Sequence, residues 1–221
     1  MKRIAALLLP ILAMLAAPAL ADEATYETVE YVSDGGSERF VSAPPAAVPT
    51  GIASYGPFRV LDGTRAAIID LTDQRSPAEF GAMLRDYPDI LLLEMVECPG
   101  TEDDRANLQL GRMIHARGIA THVPKGGSVR SGGVELFLAG TRRIADPGSE
   151  FAVHAWADED GMEPGDYAAA APENRAYLDY YREMGMSAAE AAAFYAMTNS
   201  VPNADAKWLS AEDMGRWVRL D

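Results

Sequence analysis

Short apolar runs alternate with amphipathic helical segments through the middle of the chain, and this alternation constrains the fold more than any other feature. Residues 89–97 form a nearly continuous apolar run, which is typical of a strand buried on both faces of a parallel sheet. Similar runs at 66–71, 119–124 and 150–156 are separated by segments with helical periodicity. The order predicts an α/β core with a mainly parallel sheet, followed by a helical C-terminal part.

The N-terminus carries the pattern of a secretory signal peptide. Lys2 and Arg3 precede an apolar stretch, and Ala19 and Ala21 occupy the −3 and −1 positions of a cut after Ala21. The stretch is short for a membrane span and contains two prolines, so we prefer cleavage to a stable membrane anchor. We therefore predict a periplasmic or secreted protein.

The chain is expected to have three parts. Residues 1–21 form the signal peptide, residues 22–57 are a Gly- and Pro-containing lead-in that is extended or loosely ordered, and residues 58–221 form one domain. No internal repeat or linker indicates a second domain.

The balance of charges and the scarcity of metal ligands exclude several functions. The 221 residues carry 33 acidic and 19 basic side chains, a net charge of −14 that becomes −16 once the signal peptide is removed. Nucleic acid and anionic membranes are therefore not expected as partners. The single cysteine, Cys98, forms no internal disulfide, and the three histidines lack metal-ligand spacing, so we expect no metal and no cofactor.

Two glycine-containing loops follow predicted strands, where open parallel sheets place their ligands. They are residues 98–102, CPGTE, and 126–133, GGSVRSGG. Backbone N–H groups at the start of a helix can hold an anion or a developing oxyanion there. The alternative is that both loops are ordinary turns capped by hydroxyl groups.

Ser131 and His154 are the candidates for nucleophilic chemistry. Ser131 opens a predicted helix and has two glycines behind it, whereas Ser128 looks like a loop or capping residue. A serine nucleophile needs a base, and His154 lies in the next strand, 23 residues later. The alternative for His154 is a hydrogen-bonded core residue, and we expect His115 and His122 to be structural.

The order of motifs points to a known family. "CPGTEDDRANLQLGRMIHARGIATHVPKGGSVRSGGVELFLAG" is followed by "RRIADPGSEFAVHAW". This order resembles the Clp protease proteolytic subunit of the Clp/crotonase superfamily, with its Pro-Gly-Gly turn, its serine elbow opening a helix that ends in Ala-Gly, and its strand carrying histidine. The likeness covers about residues 60–221. It implies a Clp/crotonase-like repeated ββα spiral with a mainly parallel sheet and a helical C-terminal part.

The resemblance also implies roles for individual residues. Ser131 would be the nucleophile, His154 the general base and the N–H of Gly132 one arm of an oxyanion hole. The other arm would come from the turn at Gly100 and Thr101, where Thr101 replaces the second glycine of the family turn.

The third member of the triad departs from the family pattern. Counting back from Ser210, the family aspartate falls on Ala206, and Asp205 lies one residue away. Asp205 is our candidate for orienting His154. Without it, the site would be a Ser-His dyad or no catalyst at all.

These features predict an exported serine hydrolase, a Clp-like peptidase that uses a Ser-His(-Asp) site for acyl transfer on peptides or related amides and esters. Its partners would be a peptide or small acyl substrate and further copies of itself. An ATPase partner is not expected, because the family's ATP-driven unfoldase works in the cytoplasm. The alternatives are a catalytically degenerate Clp-like binding or assembly protein, favoured by Ala206 and Thr101, and a crotonase-type acyl-CoA enzyme, which export disfavours.

Overall fold

The computed structural model describes residues 44–221, so the predicted signal peptide and residues 22–43 of the lead-in lie outside the described residues. The strands are β1 (Ala53–Tyr55), β2 (Phe58–Val60), β3 (Arg65–Ile68), β4 (Leu92–Met95), β5 (Glu97–Cys98), β6 (Ala120–Val123), β7 (Ser128–Arg130), β8 (Arg143–Ala145), β9 (Glu150–Val153) and β10 (Lys207–Ser210). The helices are α1 (Ser76–Asp86), α2 (Asp104–Ala116), α3 (Gly132–Leu138), α4 (Pro172–Glu183), α5 (Ala188–Thr198) and α6 (Ala211–Gly215).

A repeated strand-strand-helix unit builds the core. In each repeat the first strand joins a six-stranded sheet of order β1-β2-β3-β4-β6-β8, and the second joins a four-stranded sheet of order β10-β9-β7-β5. The pairs β3–β4, β4–β6 and β6–β8, and the pairs β5–β7 and β7–β9, are parallel. The predicted α/β fold with a mainly parallel sheet and a helical C-terminal part is confirmed.

One apolar run divides between the two sheets. Residues 89–97 were predicted to form one strand, but the chain turns at Val96, so that β4 lies in the larger sheet and β5 in the smaller one. Val96 N–H donates to Ile68 O at 3.1 Å, and Val96 O accepts from Ser128 N–H at 3.1 Å. Both halves are largely buried, and the hydrophobic pattern therefore does not reveal where the chain changes sheets.

The strand β7 corrects a second expectation. Residues 126–130 were predicted as a loop, but Ser128–Arg130 pair in parallel with both β5 and β9. This pairing fixes the end of β7 directly before Ser131. The serine therefore follows a buried strand in the smaller sheet.

The described N-terminal residues pack onto the domain. Strand β1 extends the larger sheet by pairing with β2, and Ala46 N–H donates to Gly126 O at 2.9 Å. The boundary predicted at Phe58 therefore falls inside the first hairpin. Within residues 44–221, no helix combines the length and apolar character needed to span a bilayer.

Candidate active site

Ser131 lies in a strained turn between β7 and α3. Its backbone has φ 49° and ψ −129°, and it is the only non-glycine residue with positive φ among the described residues. Backbone strain of this kind costs about 1–3 kcal/mol and concentrates at functional sites. Ser131 N–H donates to Ala152 O at 2.9 Å. Ala152 lies two residues before His154, so this bond holds the turn at Ser131 close to the chain that carries the histidine.

Two glycines allow the chain to pass close to this elbow. Gly100 has φ 142°, and a Cβ on it would lie 3.1 Å from the Cβ and 3.4 Å from the Oγ of Ser131. A Cβ on Gly132 would lie 2.6 Å from Cγ2 of Thr101. The loop that contains Gly100 and Thr101 therefore passes close to Ser131, and a side chain at Gly100 or Gly132 would obstruct it.

A buried polar network holds this loop against the start of α3. Asn107 of α2 donates through Nδ2 to Gly132 O at 2.7 Å, and its Oδ1 lies 3.1 Å from the hydroxyl of Thr72. Thr72 N–H in turn donates to Gly100 O at 3.2 Å. Sequence reasoning missed Asn107, because a polar residue inside a helix does not show by itself that it is buried.

The predicted oxyanion hole has its N–H groups available. Within the described part of the chain, the N–H groups of Gly132 and Thr101 donate to no protein acceptor, and both residues line the same cavity as Ser131. Thr101 does not have a positive φ, so its backbone needs no glycine at this position. Its hydroxyl accepts from Asp103 N–H at 3.2 Å, which fixes the turn through the side chain.

The imidazole of His154 is oriented by the carbonyl of Ala155, which the amide of Asn203 also holds. Its Nδ1 lies 2.8 Å from Ala155 O and 3.2 Å from Nδ2 of Asn203, which itself donates to Ala155 O at 2.8 Å. A proton on Nδ1 donated to Ala155 O leaves the lone pair on Nε2, the tautomer that a general base requires.

Asn203, rather than Asp205, is the side chain beside Nδ1. Asp205 is exposed, and its Oδ1 accepts from Ala206 N–H at 2.8 Å. The orienting role of Asp205 stays a prediction, and this geometry does not favour it. Asn203 lies two residues earlier in the same loop, between α5 and β10, and the pairing of β10 with β9 helps to bring it to His154.

Ser131 and His154 line one cavity of about 140 Å³. No direct hydrogen bond joins them among the described contacts. Such bonds are often long before substrate binds, so the shared cavity is the relevant observation.

Two carboxyl groups, which sequence reasoning also missed, line the same cavity. Glu135 of α3 is 7% exposed, and burial raises its pKa to about 7 although the hydroxyl of Tyr181 donates to it at 2.7 Å. Asp104 is exposed as a residue, and desolvation raises the pKa of its carboxyl group. A smaller coulombic interaction with His154 acts in the opposite direction on the pKa of Asp104.

Comparison with known proteins gives distant structural likenesses. No protein-family model and no curated protein matches the chain. Among solved structures, a ClpP1 mutant from Listeria monocytogenes is similar at 15% identity and TM-score 0.47, covering 70% of this chain and 87% of that one. The 1510-N membrane protease specific for a stomatin homolog from Pyrococcus horikoshii is similar at 13% identity and TM-score 0.46, covering 72% and 70%.

A further solved structure, a mutant of the 1510-N membrane-bound stomatin-specific protease, has 15% identity and TM-score 0.47, covering 70% of this chain and 76% of its own. The similar structures named here are thus a ClpP and a stomatin-specific protease. TM-scores below 0.5 support no assignment by themselves, so the function is inferred from the geometry of the site.

Proposed function

We propose that the protein is an exported serine hydrolase, a Clp-like peptidase acting by acyl transfer on peptides or related amides and esters. The observation that carries this proposal is the strained backbone of Ser131 at the start of α3, in one cavity with His154. A serine in a sharp strand-to-helix turn presents its hydroxyl at the surface of the site, as a nucleophile requires.

The geometry supports a role for each group. His154 Nε2 takes the proton of Ser131 as its Oγ attacks the substrate carbonyl, and the developing oxyanion lies between the N–H groups of Gly132 and Thr101. The imidazolium then gives the proton to the leaving amine or alcohol. Water hydrolyses the acyl-enzyme by the same route. Ala155 O holds the ring and Asn203 holds that carbonyl, while Asp104 supplies negative charge.

The proposed location is the periplasm or the outside of the cell, without an ATPase partner. Removal of residues 1–21 leaves Asp22 as the first residue, which N-terminal sequencing of the exported protein checks. An intact Met1 on exported protein would contradict cleavage.

Labelling by a fluorophosphonate probe tests the proposed function. The mature protein should be labelled at Ser131, as mass spectrometry of the modified peptide shows, and the Ser131→Ala and His154→Ala variants should lose labelling by at least about a hundredfold. Ser54→Ala, which changes an exposed serine of β1, is the matched control and should label like the wild type. Labelling elsewhere, or unchanged labelling of Ser131→Ala, would refute the proposal.

A second candidate is a non-catalytic peptide-binding or assembly protein. It is favoured by the lack of a direct Ser131–His154 hydrogen bond among the described contacts and by the amide in place of a carboxylate at His154. A folded wild-type protein that the probe does not label would decide for it.

A further inference from the structure

The cavity beside Ser131 has a chemical character that the proposed reaction alone does not require. Its lining includes two carboxyl groups and a set of aromatic rings: Asp104, Glu135, Trp156, Tyr177, Tyr181 and Tyr195. No lysine or arginine is among the described residues that line it. The cavity therefore combines negative charge with apolar ring faces and lacks a cation.

Of the two carboxyl groups, Glu135 is the more buried, so a nearby cation would stabilise its charge most. It is 7% exposed, and its described side-chain hydrogen bond comes from the neutral hydroxyl of Tyr181. It lies on α3, four residues after Ser131 in the chain, and both residues line the same cavity. A buried carboxylate is costly without a cation, and this one lines the cavity.

The aromatic rings are held in a fixed arrangement. The rings of Trp156 and Tyr177 are parallel within 5°, with centroids 6.2 Å apart. Trp156 Nε1 donates to the hydroxyl of Tyr195 at 2.7 Å, and that hydroxyl donates to Asn174 Oδ1 at 2.6 Å. Rigid ring faces attract cations, especially where water is excluded.

We propose that this cavity is the subsite for a cationic side chain, lysine or arginine, next to the bond that Ser131 attacks. This inference rests on the proposed function, because it names the substrate class of that same site. The volume of about 140 Å³ suits one side chain rather than a folded peptide. The long apolar stem would lie along the rings, and the charged end would meet Glu135 and Asp104.

Kinetics with matched substrates test the proposal. Fluorogenic peptides that differ only in the residue before the cleaved bond, arginine, lysine, leucine or citrulline, are compared at pH 8, where Glu135 with its pKa of about 7 is ionised. Citrulline keeps the shape of arginine and removes its charge. We expect kcat/KM to be at least about tenfold higher for arginine and lysine than for citrulline and leucine.

Charge-neutralising variants connect that preference to the cavity. Glu135→Gln should reduce the arginine-over-citrulline ratio by about threefold or more, while fluorophosphonate labelling of Ser131 persists. Asp104→Asn should reduce the ratio by a similar factor and, because it also removes the charge assigned to stabilising the His154 imidazolium, should slow labelling as well. Asp179→Asn, which changes an exposed carboxylate of α4 paired with Arg182, is the control and should keep the ratio. A labelled enzyme with equal rates for arginine and citrulline, or with a ratio unchanged in both cavity variants, overturns the cationic subsite and leaves the hydrolase proposal intact.

A binding measurement separates the two proposals when no turnover is seen. Titration calorimetry on Ser131→Ala compares Nα-acetyl-arginine amide with Nα-acetyl-citrulline amide. At least about tenfold tighter binding of the arginine compound, lost with Glu135→Gln, supports the cation site even if the wild type is never labelled. Equal or undetectable binding of both compounds, in a protein that hydrolyses none of the peptides, refutes it.

Discussion

Asn203 lies where a third triad residue would orient the histidine. Its Nδ2 is 3.2 Å from His154 Nδ1 and donates to Ala155 O, while its own N–H donates to Glu163 Oε1 at 2.8 Å. Asn203→Ala removes the side chain and keeps the backbone bond that places the loop. We expect kcat to fall at least about tenfold with KM nearly unchanged, because a mobile imidazole binds substrate no worse but accepts the proton less often.

Asp205→Ala is the matched variant in the same loop. Because this carboxylate is exposed and bonded to Ala206 N–H, its removal should leave kcat within about twofold of the wild type. Peptide hydrolysis and thermal unfolding are measured on both variants. If Asp205→Ala lost much of its kcat and Asn203→Ala kept the kcat of the wild type, Asp205 would be the orienting residue.

At the scale of elements, the close contact between α3 and the loop after β5 can be tested by adding one methyl group at the contact. Gly132→Ala places a methyl group 2.6 Å from Thr101 Cγ2, so one of the two must move. We expect the free energy of unfolding to fall by about 1–3 kcal/mol and Ser131 labelling to slow, because the oxyanion N–H groups shift with the backbone.

The double variant Gly132→Ala/Thr101→Gly removes the side chain that the methyl group meets. It should regain much of the stability and labelling lost in Gly132→Ala, as urea unfolding and probe kinetics measure. Thr101→Gly alone is the control for the lost hydroxyl. If the double variant is no better than the sum of the two single changes, the contact does not limit the site.

The elements themselves divide into those that the sequence predicts and those that it does not. Helices α2 and α5 were predictable because periodicity and caps are local properties, such as Ser187 capping α5 through Glu190. The short strands β7, β8 and β10 were not, because strands of three or four residues depend on partners far away in the chain.

The residues of the candidate site also divide into those that the sequence predicts and those that it does not. Ser131 and His154 could be proposed from glycines, order and spacing. Asn203, Asp104 and Glu135 reach the cavity only when α2, α3 and the loop before β10 have packed, and no local pattern distinguishes them from surface residues.

At the scale of the whole molecule, acidic groups affect folding in two opposite ways. Hydrogen bonds hold the pKa values of Asp62, Asp158 and Asp213 below their ordinary value, so these carboxylates stabilise the fold above pH 3.8, and that contribution is lost as pH falls. Glu135 acts in the other direction, because burial raises its pKa.

Glu135→Gln isolates the second effect. The pKa of Glu135 rises from 4.5 to about 7 on folding, so its contribution to stability is fully present below pH 4.5 and is lost as pH rises through 7. A shift of this size corresponds to about 3 kcal/mol. We compare the free energy of unfolding of Glu135→Gln with that of the wild type at each pH, by urea unfolding. Between pH 4.5 and pH 8 this difference should shift in favour of the variant by up to about 3 kcal/mol. Glu159→Gln, which changes an exposed side chain, should show a constant difference from wild type. A constant difference for Glu135→Gln as well would mean that Glu135 is ionised throughout, and that the cavity solvates its charge without a bound cation.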